Sequence, residues 1–85
     1  MTNPIFGDEY GAIVETLIEA RTRAGVSQRQ LARRLQRSQS HVCMIEKRQR
    51  RVELREFYLM CKALGADPVE VFQRFTHAVE MQQAA

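Results

Sequence analysis

The 85-residue chain has no tryptophan, only two prolines and four glycines, and two cysteines. Cys43 and Cys61 are too few for a disulfide framework. With His41 and His77 they match no zinc spacing, because CxxC and HxxxH pairs are both missing, so no metal is expected. No apolar run approaches the ~20 residues needed to cross a bilayer. The opening MTNPIFGDEYG is acidic and has no apolar signal core. Reduced thiols in a cytoplasmic protein are therefore the expectation. No stretch alternates with period two, which argues against a sheet. Nucleophile elbow, phosphate-binding loop, dinucleotide glycine run and paired-carboxylate cleft are all missing too. Neither catalysis nor a cofactor nor a small-molecule ligand is expected.

What is present is charge, unevenly placed. Residues 21–51 carry ten of the thirteen Lys/Arg and a single acid, Glu46, whereas residues 1–20 hold four acids and no Lys/Arg. A modest net charge of +3 thus conceals strong polarisation. Such a segment attracts polyanions, and duplex nucleic acid is the commonest one available. The bland alternative is a solvated basic face without a partner. A chain this short forms one domain, and a partner subunit would help to cover its core.

Every segment reads at helical period. Apolar residues Ile13, Val14, Leu17 and Ile18 share one face of a helix over 8–24, which Gly25 ends. Ser27 and Gln30 form a capping-box pattern ahead of a short helix, 28–35, that buries Leu31, Ala32 and Leu35. Ser38 caps another, 39–47, with Val42 and Ile45 inward. Only Gln36 and Arg37 separate the two beyond that cap, a link so short that it forces a sharp crossing, the helix-turn-helix geometry. A basic loop, RQRRV at 48–52, precedes a fourth helix, 53–64, expected to bury Leu54, Phe57, Cys61 and Leu64. Asp67-Pro68 is a strong start signal for a fifth helix running to about residue 80.

In register with this pattern the chain supplies Arg21, Gly25-Val26-Ser27-Gln28, Leu31-Ala32, Ser38, Ser40, Val42, Ile45-Glu46 and Leu64-Gly65. Over residues 17–72 it resembles the phage Cro and repressor type of helix-turn-helix domain, the XRE family. The resemblance implies an all-α, five-helix, lambda-repressor-like fold. It also implies a sequence-specific regulator of transcription that binds double-stranded DNA, most often as a repressor. Two positions depart from the pattern: Gln36 and Arg48 stand where the family usually has glycine. Both sites often need positive φ, where a side chain costs about 1 kcal/mol.

By the same resemblance the second helix of the motif lies in the major groove. Gln39 suits adenine, Ser40 can donate or accept, and His41 suits a base or a phosphate. Cys43 and Met44, one turn on, can pack against a thymine methyl, although Cys43 fits half-buried packing equally well. Gln28 resembles the family residue that holds a backbone phosphate. Arg29, Arg33 and Arg37 with Ser38 form one phosphate-facing set; Lys47, Arg48, Arg50 and Arg51 form another. Glu46 is expected to pair with Arg21, as in the family, and to be structural.

Three units are expected: an N-terminal arm, 1–8; the helix-turn-helix domain, 9–66; and a C-terminal helix, 67–85. Val69 and Phe72 can finish the core. Phe72, Phe75, Thr76 and Val79 extend the stripe further than one small core requires, and are read as the contact of a homodimer on a near-palindromic operator. Hetero-pairing with a related small protein would use the same stripe. Ile5, Phe6 and Tyr10 either pack on the domain or assist the dimer. A rival reading makes the chain an antitoxin, a protein-interaction module with secondary DNA binding.

Overall fold

The computed structural model describes residues 7–84 and contains five helices: α1 (Asp8–Arg23), α2 (Gln28–Leu35), α3 (Gln39–Glu46), α4 (Leu54–Ala63) and α5 (Pro68–Ala84). No strand occurs among the described residues. Ile5 and Phe6 of the arm lie outside them. The fold is all-α, with α2 and α3 forming the helix-turn-helix and α5 packed along α1.

Local chemistry fixes the boundaries. At α2 both capping-box bonds form: Gln30 N–H donates to Ser27 Oγ at 3.1 Å, and Ser27 N–H donates to Gln30 Oε1 at 2.8 Å. Ser38 Oγ accepts from His41 N–H at 3.2 Å to open α3. Asp67 Oδ1 accepts from Val69 N–H at 3.0 Å at the start of α5. Helices α1 to α4 all close in the same way. A residue with left-handed backbone follows each: Gly25 (φ 69°), Gln36 (57°), Arg48 (62°) and Gly65 (72°). The N–H one position further on turns back to a carbonyl of the last turn, as in Arg37 N to Ala32 O at 2.9 Å and Gln49 N to Met44 O at 2.8 Å. The two departures from the family pattern thus keep the glycine conformation without the glycine.

The core gathers Leu17, Ala20, Val26, Leu31, Ala32, Val42, Ile45, Phe57, Met60, Cys61, Leu64 and Val71, so all five helices contribute. On α1 the buried face is Ala12, Val14, Thr16, Leu17 and Ala20, while Ile13 and Ile18 are half-buried. Small residues at four-residue spacing, Ala12, Thr16 and Ala20, suit the close approach of α5.

Four expectations need correction. Leu54 is 79% exposed rather than buried, and Met60 takes its place inside. With Glu53 as the cap, Leu54 is the first helical residue and projects beyond the end of the core. Val69 (65% exposed) and Phe72 (46%) do not finish the core; Val71 does. The fifth helix continues to Ala84, about one turn beyond its expected end.

Candidate nucleic-acid interface

The first turn of α3 is displayed by what lies beneath it. Val42 and Ile45 are fully buried, which anchors the helix by one face. Gln39 and Ser40 stand exposed at its N-terminus, and Met44 is 39% exposed one turn later. Cys43 is half-buried, between the two readings open to it.

A polar network locks the other end. Arg21 Nε donates to Glu46 Oε2 at 2.6 Å and Nη2 donates to Oε1 at 3.0 Å, a bidentate pair. Arg21 Nη1 donates to Val26 O at 2.9 Å, and Gln28 Nε2 donates to Glu46 Oε1 at 2.8 Å. The arginine and glutamate side chains are only 14% and 10% exposed. One carboxylate therefore joins the end of α1, the following turn, the start of α2 and the end of α3. Gln28 spends its side-chain amide inside this network. One hydrogen of that NH2 group makes this bond, and the backbone N–H of Gln28 stands at the N-terminus of α2.

The basic residues divide. Arg29, Arg33, Arg37, Lys47 and Arg50 are exposed, with no acidic partner among the described residues; Arg51 is exposed too. Arg37, Arg50 and Arg51 line one groove of about 530 Å³ with Glu53, Arg55 and Glu56. Arg55 was missed by sequence reasoning: it follows the basic loop closely, but the flanking Glu53 and Glu56 hid it. Tyr10 holds the loop itself, donating its hydroxyl hydrogen to Arg50 O at 2.9 Å.

Two of the expected contact residues meet protein groups. His41 turns its imidazole towards α4, with Nε2 2.7 Å from Glu56 Oε2 and the side chain 10% exposed, so it does not project with Gln39 towards a base. Arg48 folds over Gly11 on α1, with Nη2 3.6 Å from Glu15 Oε1. Gly11 has no side chain to exclude it, and the Arg48 side chain remains 43% exposed.

Apolar surface collects elsewhere. Leu54, Tyr58, Pro68, Val69 and Phe72 enclose a shallow depression between α4 and α5 with Phe57 at its floor. Phe57 and Phe72 meet edge to face at 6.2 Å, and Phe72 lies 5.4 Å from Phe75. Phe75, Thr76 and Val79 are only partly exposed. The most exposed apolar surface therefore lies closer to the start of α5 than the sequence stripe suggests.

Residues 12–72 match the family described as the helix-turn-helix domain. An XRE-family-like protein from Pseudomonas syringae pv. tomato is 37% identical, with a TM-score of 0.79 over 86% of this chain and 89% of that one. The clp gene regulator ClgR from Corynebacterium glutamicum is 24% identical, with a TM-score of 0.76 over 85% of this chain and 94% of its own. The restriction-modification controller protein C.Esp1396I is 18% identical, with a TM-score of 0.79 over 86% and 94%. These last two show likeness of fold. No curated protein matches the sequence. The chain belongs to the Cro/C1-type, or XRE, family of helix-turn-helix DNA-binding proteins.

Proposed function

We propose that the chain is a sequence-specific transcription regulator that binds operator DNA as a dimer and represses by occluding a promoter. The observation that carries this reading is the exposed Gln39–Ser40 turn of α3, anchored from behind by Val42 and Ile45 and bordered by arginines. Gln39 has the donor and acceptor pair to read adenine N6 and N7, and Ser40 reads a neighbouring edge. Arg29, Arg33, Arg37, Lys47, Arg50 and Arg51, with Arg55 added, hold phosphates and supply affinity rather than sequence choice. Residues 9–66 form the DNA-binding unit, and α5 (Pro68–Ala84) completes the core and, with Leu54 and Tyr58 of α4, carries the dimer contact.

The dimer face we assign is Leu54, Tyr58, Val69 and Phe72, with Phe75 at its edge, because these apolar groups are exposed together on α4 and α5. A two-fold pair places its reading helices about 34 Å apart and so calls for a near-palindromic site. The regulators ClgR and C.Esp1396I, which share the fold, make a regulatory role the natural one to test.

The test is selection of duplexes from a random pool, followed by genome-wide mapping of bound sites with Gln39→Ala as comparison. Loss of preference at particular base pairs is expected. Uniform weakening across all sequences would reduce Gln39 to a positioning contact, and no preferred duplex at all would refute the reading.

A further inference from the structure

The contact between His41 on α3 and Glu56 on α4 plays no part in the reading above. Nε2 lies 2.7 Å from Oε2, and the two side chains are 10% and 16% exposed. His41 sits in the first turn of α3 beside Gln39 and Ser40, and its own N–H is held by Ser38. Glu56 also belongs to the wall of the groove that contains Arg37, Arg50, Arg51, Glu53 and Arg55. One carboxylate thus touches the root of the reading turn and faces the ground where a phosphate would lie.

We propose that His41 is a positioning residue for DNA binding and acts through Glu56, an inference that rests on the DNA-binding reading. Two effects follow from the geometry. The imidazole N–H donated to the carboxylate ties the first turn of α3 to α4 and sets the direction in which Gln39 and Ser40 leave the surface. It also satisfies a largely buried carboxylate. Without that donor Glu56 stands as an unpaired negative charge that repels phosphate. It can also turn to Arg55 or Arg37 in the shared groove and draw a guanidinium away from the DNA.

The experiment compares four proteins with wild type: His41→Ala, His41→Gln, Glu56→Ala and the double variant His41→Ala/Glu56→Gln. Affinity is measured for the duplex selected by the wild-type protein and for a scrambled duplex, and each protein is melted thermally. His41→Ala is expected to lose about tenfold in affinity for both duplexes, and His41→Gln, whose amide reaches the same carboxylate, to stay within about threefold. The double variant is expected to recover affinity for the scrambled duplex, because the bare charge is gone, without recovering preference for the selected one. Wild-type behaviour by His41→Ala overturns the proposal, as does a double variant as weak on scrambled DNA as His41→Ala alone. If His41→Ala does not fold, Glu56→Ala, which removes both the charge and the acceptor for the imidazole N–H, decides. Tight binding to scrambled DNA with a reduced preference supports the proposal, and an unchanged preference overturns it. If wild type prefers no duplex, the DNA-binding reading itself falls and takes the proposal with it, a result distinct from any difference among the variants.

Discussion

Glu46 shows how much one side chain can hold. Its carboxylate accepts from Arg21 and Gln28, and through Arg21 it reaches the Val26 carbonyl. Glu46→Ala leaves the arginine largely buried and unpaired, and is expected to lower stability by about 3 kcal/mol in denaturant melts. A melt like that of wild type would refute the pairing as a structural element. Cys61 is a different case. Burial, reinforced by the Asp67 carboxylate, raises its thiol from the ordinary 9.0 to about 11. The folded protein therefore holds that proton more tightly than the unfolded chain, so stability is expected to fall as pH rises from about 9 towards 11. A thiol-specific reagent at neutral pH is expected to label half-buried Cys43 and leave Cys61 untouched until the protein unfolds. Capping side chains such as Ser27 and Asp67 act over three or fewer positions, which is why the chain order alone disclosed them. The contact of His41 with Glu56 was not legible there, because the two are fifteen residues apart.

At the scale of the helices, the ends are more uniform than the sequence suggests. Four of them close through a left-handed residue, and two of those four are Gln36 and Arg48. Gln36→Gly should relieve strain and stabilise the protein by up to about 1 kcal/mol, measured by thermal melting. Arg48→Gly should give less, because it also removes the packing over Gly11 and the exposed contact to Glu15. Equal gains at the two sites would show that the Arg48 contacts contribute nothing. Helix positions and types were legible because periodicity and caps are local properties. The rotation of α4 and α5 was not. Leu54 and Val69 sit on plausible apolar stripes, yet the choice between them and Met60 or Val71 depends on where neighbouring helices lie.

For the whole molecule, the proposed function makes two quantitative demands. If arginines neutralise about six phosphates per subunit, log K should fall against log salt with a slope near −5 for each subunit. A slope shallower than about −2 would leave the basic surface as solvated charge. Phe72→Glu or Val69→Glu should convert the dimer into a monomer of about half its mass in sedimentation, because a charge on this patch must be desolvated to pair. The same substitutions should weaken operator binding; Val69→Glu should leave the fold intact, because Val69 is 65% exposed, whereas Phe72→Glu also loses ring contacts to Phe57 and Phe75. A wild-type protein that sediments as a monomer of 9.9 kDa at every concentration would remove the dimer from the proposal.

The order of residues by itself determined the five helices, the helix-turn-helix link and the segregation of basic charge. All of these depend on spacing along the chain or on composition. Only the tertiary structure decided that His41 faces α4, that Arg48 lies over Gly11, that Arg55 joins the arginine groove and that the exposed apolar patch centres on Leu54, Val69 and Phe72. Those outcomes depend on which helix faces are brought together, and no single segment carries that information.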